Sequence, residues 1–171
     1  VVSNLALSYI DLGQFDKAIP LVSRGMEIGD SAGGVELLAL NSSALARIHR
    51  TLGQHDRALV LYIQALAFLE KSLGQEHPST AFSLTNVAFE LESLGQPNAA
   101  INFLKSAINR YQRQRERAAA VGADELKGYT TSIASHYQAL IRLLTDQGRL
   151  AEAQQVLDML KEDEQFDFIR R

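Results

Sequence analysis

Apolar residues recur at helical spacing along the whole chain, whereas strand patterns are nearly absent. Within 55–73 and within 97–117, apolar residues follow one another in steps of four, three and four. Such steps place them on one side of an α-helix as a continuous apolar stripe. No alternating run of Val, Ile and Thr and no Asn-Gly hairpin turn occurs, so we predict an all-α fold. The stripes comprise Ala58, Tyr62, Ala65 and Leu69, and then Ala100, Leu104, Ala107 and Tyr111.

A short phrase recurs between the helical segments. Its copies are LGQFDKAI (12–19), LGQHDRAL (52–59), LGQPNAAI (94–101) and the looser QGRLAEAQ (147–154). The glycine of each copy fits the end of one helix, where a left-handed residue is favoured, and the next helix opens after it. These glycines are Gly13, Gly53, Gly95 and Gly148. Their intervals of 40, 42 and 53 residues predict a helical repeat array with an insertion before the last repeat.

Small residues accompany each glycine at fixed distances. Alanine stands seven positions before the glycine in three copies, with Ile141 in the fourth, and five positions after it in all four. Small side chains at a crossing let two helices approach to about 8–10 Å. We therefore predict that these residues mark the closest contact within each helical hairpin. They are Ala6, Ala46 and Ala88 before the glycine, and Ala18, Ala58, Ala100 and Ala153 after it.

With these features the chain resembles a tetratricopeptide repeat (TPR) array. The period of about 42 residues and the segment EHPSTAFSLTNVA (76–88) are similar to repeats of the kinesin-light-chain type. The last stretch, 147–171, resembles the end of the TPR region in bacterial proteins whose repeats precede a CHAT domain, a caspase-like protease fold. The resemblance implies a right-handed α-α superhelix of four helical hairpins. The chain departs from the common pattern in lacking Trp, in Ile141 and in the insertion.

Eight helices are predicted in four pairs. The pairs are 1–12 with 15–29, 35–51 with 55–73, 78–93 with 97–118, and 124–146 with 149–163. We expect a single array over 1–171, with repeats at about 1–31, 35–74, 78–120 and 124–163 and a C-terminal tail at 164–171. Pro78 and Pro97 suit the first turn of their helices, whereas Pro20 falls further in and is expected to bend its helix. The chain starts inside a helical pattern without an initiator Met, so we expect a fragment of a longer protein.

Composition narrows the classes of function. An apolar content of 46% in 171 residues predicts an ordered domain with a substantial core. A formal net charge of −3 argues against a dedicated nucleic-acid-binding protein. No Cys occurs, which excludes disulfides and thiolate metal sites within this chain. No apolar run approaches the roughly 20 residues of a membrane-spanning helix, and we expect a cytoplasmic protein.

No catalytic constellation emerges from the sequence. The four histidines include no pair at metal-ligand spacing, and no Gly-x-Ser-x-Gly elbow or phosphate-binding loop occurs. His55 replaces Phe15 of the first repeat, which favours a packing role, and His77 is expected to cap the helix that starts at Pro78. We therefore expect no enzyme activity, no cofactor and no metal.

The segment RYQRQRER (110–117) is the strongest candidate for a nucleic-acid patch. Its four arginines lie on a helix beside one Tyr, but the chain around them is acidic. We favour a different interpretation, in which these cations crown the C-terminal end of a long helix and complement its dipole. The arginines are Arg110, Arg113, Arg115 and Arg117.

The resemblance points to the concave face as the binding surface. In TPR proteins the first helix of each hairpin lines a groove that holds an extended peptide or a partner helix. An Asn amide can donate to and accept from a ligand backbone, and Arg can bind carboxylates through two hydrogen bonds. The candidates at these positions are Asn4, Leu7, Ser43, Arg47, Arg50, Thr85, Asn86, Phe89, Gln138 and Arg142.

Three hypotheses follow. The first is a scaffold that binds a protein or peptide in the groove without catalysis of its own. The second is the regulatory half of a CHAT-type protease, in which the Cys nucleophile would lie outside this chain. The third is a self-associating module, because both ends are apolar. Apolar residues of helix 1–12 occupy more than one face, and those at the C-terminal end follow an acidic stretch, where they could instead cap the array or dock onto a following domain. Those residues are Val1, Val2, Leu5, Leu7, Tyr9 and Ile10 at one end, and Phe166, Phe168 and Ile169 at the other.

Overall fold

A computed structural model describes the backbone of residues 2–121 and 123–169, and the side chains of residues 3–115 and 133–161. All regular structure in these residues is α-helical, as predicted. The helices form four consecutive antiparallel hairpins. They are α1 (Val2–Asp11), α2 (Phe15–Ala32), α3 (Val35–Thr51), α4 (His55–Leu73), α5 (Pro78–Ser93), α6 (Pro97–Val121), α7 (Ala123–Asp146) and α8 (Leu150–Ile169).

The bounds of the central helices are those predicted from the sequence. α3, α4 and α5 agree at both ends, whereas α2 continues three residues beyond the prediction to Ala32 and runs through Pro20. The insertion before the fourth repeat lengthens the helices instead of forming a long loop. Accordingly, α6 has 25 residues and α7 has 24.

The recurring glycines end the first helix of each hairpin. Their φ angles lie between 68° and 71°, in the left-handed region predicted for them. In the second hairpin Gly53 N donates to Arg50 O at 2.9 Å, and Gln54 N donates to His49 O at 2.9 Å. These two bonds satisfy carbonyls that the helix end leaves without partners, and they reverse the chain within a few residues. The same pair of bonds recurs after α1, α5 and α7.

The connector between the second and third hairpins is fixed by side chains. His77 lies at the N-cap of α5 and accepts a hydrogen bond from Ser79 N at 3.2 Å, which confirms the predicted cap. Thr80 Oγ1 donates to Gly74 O at 2.8 Å. Pro78 occupies the first turn of α5, where its missing N–H leaves no hydrogen bond unmade.

The alanine pairs predicted at the hairpin crossings are buried. In the first three hairpins both alanines of each pair have no exposed surface. In the fourth, Ala153 is buried and Ile141 is half-buried against the core. Two apolar clusters surround these crossings, one among α1, α2 and α3 and a larger one from α3 to α8. The fully buried pairs are Ala6 with Ala18, Ala46 with Ala58, and Ala88 with Ala100.

Glycines that the repeat pattern did not single out bring α2 close to α3. Gly25 is buried, and a Cβ at this position would lie 2.7 Å from Asn41 Cγ. A Cβ on Gly29 would lie 3.0 Å from Leu38 Cγ. Asn41 is itself fully buried and donates from Nδ2 to Leu37 O at 2.8 Å. The backbone of α2 therefore packs directly against Asn41 and Leu38 of α3 at this crossing.

Two arginines of RYQRQRER pair with acids outside α6, and none lies in the last turn of that helix, so the helix-end interpretation is wrong. α6 continues to Val121, which places these residues in its interior. Arg110 pairs with Glu70 of α4 at 3.2 Å, and Arg113 makes two hydrogen bonds to Glu76, at 2.8 and 2.9 Å. The side chain of Arg117 lies outside the described residues, as do those of Val1, Val2, Phe166, Phe168 and Ile169.

We predict that Gly25→Ala lowers the free energy of unfolding by about 1–3 kcal/mol, because the new methyl group overpacks the crossing with Asn41. Helix propensity alone would favour the alanine by about 1 kcal/mol, so a loss of stability identifies the steric cause. Urea denaturation followed by circular dichroism measures it. In an Asn41→Ala background the same substitution should cost less. An equal cost in both backgrounds would contradict the packing explanation.

Candidate peptide-binding groove

A groove with a volume of about 530 Å³ runs between α3 and α5. Residues of α4 form its floor, and Leu7 of α1 closes one side. Most of its lining is apolar. The lining residues are Leu7, Glu36, Ala39, Leu40, Ser43, Ala44, Arg47, Arg50, Tyr62, Leu69, Leu73, Ser79, Phe82, Ser83 and Asn86.

Five of the ten predicted site residues line this groove. They are Leu7, Ser43, Arg47, Arg50 and Asn86. All five are half-buried, so each keeps part of its surface accessible to a ligand. They come from three first helices of hairpins, α1, α3 and α5.

The other five lie elsewhere. Asn4 is exposed on α1, and Gln138 and Arg142 are exposed on α7. Arg142 forms ion pairs with Glu92 at 2.7 Å and, more distantly, with Asp146 at 3.8 Å. None of these three residues lines the groove between α3 and α5.

The prediction of Thr85 as a groove residue is wrong. Thr85 has no exposed surface, and its hydroxyl donates to Phe82 O at 2.6 Å. It also hydrogen-bonds the Tyr111 side chain of α6. Adjacent helix positions differ by about 100° around the axis, which turns Thr85 inward while Asn86 reaches the groove. Phe89 is half-buried next to the ring of His136, with the ring centroids 6.3 Å apart.

Sequence reasoning missed the apolar part of the groove. Phe82 and Leu40 are 57% and 39% exposed, although large apolar side chains normally avoid water. Helical spacing could have revealed both, because stepping back by three from Ser43 reaches Leu40, and by four from Asn86 reaches Phe82. Leu69 and Leu73 of α4 complete this apolar end.

A buried carboxylate joins the second and third hairpins below the groove. Glu90 is 1% exposed and accepts a hydrogen bond from Arg50 Nε, while Nδ1 of His55 lies 2.8 Å from its other oxygen. Arg50 NH2 also donates to Asn86 Oδ1 at 3.1 Å. The predicted packing role of His55 is therefore incomplete, because the histidine also binds the buried acid. This network spans about 35–40 residues of sequence, so no local pattern could have revealed it.

The Arg50 guanidinium also stacks on Tyr62, with its Cζ 4.7 Å from the ring centroid. A guanidinium over the face of an aromatic ring is attracted by the partial negative charge of that face. Burial raises the pKa of Tyr62 to about 12, although the charge of Arg50 opposes the shift. Tyr62 is therefore neutral at physiological pH and forms the floor under Arg50.

Arg47 has looser contacts. It forms an ion pair with Asp11 of α1, and the two side chains are 40% and 67% exposed. Exposed pairs of this kind contribute about 0–1 kcal/mol to stability. Arg47 can therefore turn to a ligand at small cost to the fold.

A buried histidine lies where the fourth hairpin packs on the third. His136 is 8% exposed and stacks on Tyr111, with ring centroids 5.4 Å apart and an interplanar angle of 7°. Its Nδ1 has no hydrogen-bond partner within the part of the chain that the structure describes. Burial lowers the pKa of His136, so the folded state favours the neutral ring.

The part of the chain that the structure describes contains neither a metal site nor a membrane-spanning helix. Among residues 3–115 and 133–161, no three His, Asp or Glu side chains are arranged to hold a metal ion. No helix among the described residues is long and apolar enough to cross a membrane.

Two sequence models described as tetratricopeptide repeat match the chain. One matches residues 1–71 and 36–113, and the other matches residues 137–159. The chain belongs to the tetratricopeptide repeat family. Residues 114–136, between the matches, coincide with the insertion that lengthens α6 and α7. No curated protein matches the chain significantly.

Solved TPR structures share the fold. BtubC (BKLC) from P. vanneervenii superposes with a TM-score of 0.78 at 20% identity, over 95% of this chain and 61% of that one. Two structures of a putative kinesin light chain from Podospora anserina, with nearly identical TPR-like repeats, give TM-scores of 0.56 and 0.53 at 22% identity. They match 95% of this chain and 92% and 93% of theirs. The resemblance to repeats of the kinesin-light-chain type is thus confirmed for the fold. This chain spans about 61% of the length of the BtubC chain.

We predict that Arg50→Met lowers the free energy of unfolding by about 2–4 kcal/mol, because it leaves the buried Glu90 carboxylate without its strongest partner. The matched variant Arg47→Met, which breaks an exposed ion pair, should cost less than about 1 kcal/mol. Urea denaturation of both proteins gives the comparison. Equal losses would contradict a structural role specific to Arg50.

We also predict that the TPR array loses stability as the pH falls below about 6.5, the ordinary pKa of His. The lowered pKa of His136 means that the unfolded state binds the proton first, so acid favours unfolding. His136→Phe keeps an aromatic ring against Tyr111 and should reduce the loss of stability on lowering the pH. Thermal unfolding of both proteins between pH 5 and 8 would measure it. If the unfolding temperature of the variant fell with pH as much as that of the wild type, His136 would be excluded as the source of the pH dependence.

Proposed function

We propose that this TPR array is a protein-interaction scaffold that binds a peptide or partner helix in the groove between α3 and α5. TPR repeats generally serve protein–protein interaction without catalysis. The observation that carries the proposal is the groove itself, with a volume of about 530 Å³ and a 57% exposed phenylalanine, Phe82, at its edge. Solvent-exposed apolar surface rimmed by polar groups is typical of binding sites.

The groove also has the construction expected of a binding site. Its walls belong to helices whose positions are set by the buried hairpin crossings. A surface that exists before binding reduces the ordering cost of association. Polar donors on Arg47, Arg50 and Asn86 lie beside the apolar surface, so a ligand can gain burial and hydrogen bonds together.

Self-association is the second candidate, favoured by apolar surface on α1. Leu5 on α1 is 47% exposed, and Leu12, in the turn directly after α1, is 69% exposed. Light scattering at high protein concentration tests it, and a monomer would remove this candidate.

The association with a CHAT-type protease remains a prediction from residues 147–171. The cytoplasmic location remains a prediction from the lack of Cys and of a long apolar run in the sequence. The chain contains no Cys, so any such protease would need its nucleophile from another segment.

We predict that Ser43→Trp, which places an indole inside the groove, weakens binding of groove-directed peptides by at least about tenfold. The peptides would come from selection of a displayed random library against the wild-type protein. Ser106→Trp, at an exposed position on α6 outside the groove, is the matched control and should bind normally. Circular dichroism would verify that both variants are helical. Retention of the selected peptides by Ser43→Trp would refute the groove assignment.

A further inference from the structure

The groove has a chemical direction that follows the axis of α3. One face of this helix presents Glu36, Leu40, Ser43, Arg47 and Arg50 in steps of four, three, four and three. The acid therefore lies at the N-terminal end, the apolar residue follows, and both arginines lie at the C-terminal end. A ligand in this groove meets these groups in a fixed order.

The apolar end is formed by α3, α4 and α5 together. Leu40, Leu73 and Phe82 are partly exposed there, with exposed fractions of 39%, 37% and 57%. Burying one large side chain among them would remove several apolar surfaces from water at once. Full burial of such a side chain is worth about 1.5–3 kcal/mol, which makes this end the place for an anchor residue.

The opposite end offers hydrogen-bond donors. Toward the residues that the structure describes, Arg50 donates from Nε to Glu90 and from NH2 to Asn86, which engages two of the five N–H donors of a guanidinium. The side chain remains 33% exposed, so the unused donors have access to the groove. Among the described residues, Arg47 pairs with the exposed Asp11, which a ligand carboxylate can replace. Glu36 repels a carboxylate at the other end and so favours one placement.

We propose, on the basis of the function proposed above, that the groove selects peptides carrying a large apolar side chain and a carboxylate side chain three residues apart. An α-helix advances about 1.5 Å per residue, so Leu40 and Arg47 are about 10 Å apart along α3. A peptide in the extended polyproline II conformation advances about 3.1 Å per residue with three residues per turn, so side chains three residues apart lie on one face and about 9 Å apart. The apolar side chain lies against Leu40 and Phe82, and the carboxylate binds Arg47 and Arg50.

Fluorescence anisotropy with defined peptides tests the spacing. Short fluorescein-labelled peptides of Gly and Ser would each carry one Phe and one Asp. The two residues would stand at positions i and i+1, i and i+3, or i and i+6, with Phe first in one set and Asp first in the other. Separation by three positions should give the highest affinity, by about tenfold over the other spacings. Equal affinity at all spacings, or no binding by any of these peptides, would overturn the proposal.

Paired variants assign the two ends. Arg47→Ala should weaken the best Phe/Asp peptide by about tenfold and leave its Phe/Asn counterpart unchanged. Phe82→Ser should weaken both peptides. The matched controls are Arg24→Ala, which breaks an exposed pair with Glu27 on α2, and Val60→Ser, which alters a 65% exposed valine outside the groove. If Arg47→Ala weakened binding of the Phe/Asn peptide as much as that of the Phe/Asp peptide, recognition of the carboxylate by Arg47 would be excluded.

The outcome separates this inference from the proposed function. If library-selected peptides require an open groove but show no apolar–acidic spacing, the scaffold function stands and the proposed selectivity is wrong. If the defined peptides bind equally to Ser43→Trp, both proposals fail.

Discussion

The close crossing of the two helices in each hairpin is the constraint on which this array depends. Paired alanines without exposed surface, such as Ala46 and Ala58, let the helices meet at short distance, and the left-handed Gly53 reverses the chain between them. Because the same device recurs, the hairpins have similar shapes and stack in series. The crossing of α2 with α3 adds a second close contact through Gly25. Close packing within the hairpins thus depends on small residues repeated at fixed positions.

This stacking creates the groove. The first helices of the second and third hairpins, α3 and α5, line one gap, and α4 closes it below. Glu90 is buried beneath that gap and is bound by Arg50 and His55, so the junction of the second and third hairpins carries an internal charge network. Arg50 therefore serves the fold through one edge of its guanidinium and faces the groove with the remainder. Arg47, with its exposed partner, is the freer of the two cations.

The sequence predicts the helices better than it predicts the groove, for a physical reason. Helix bounds follow from local signals, such as the glycine at one end and Pro78 at the other, and α3, α4 and α5 were predicted at both ends. Whether a residue lines the groove depends on its angular position around the helix axis. Neighbouring residues differ by about 100°, so Thr85 is buried in the core while Asn86 reaches the groove. Phe82 lies one helical turn before Asn86 and lines the same groove, but an aromatic side chain in a helical stripe is most often assigned to the core. The partnership of His55 with Glu90 depends on how hairpins stack, which no local pattern encodes.

The central claim is that partners bind the face between α3 and α5. The most direct test is methyl NMR of the protein labelled at Leu, Ile and Val, titrated with a peptide selected from a random library. The account predicts that the methyl signals of Leu40, Leu69 and Leu73 shift on binding, while those of Val60 and Ile63 on the exposed side of α4 do not. Shifts confined to Val60 and Ile63, with the groove methyls unchanged, would contradict it.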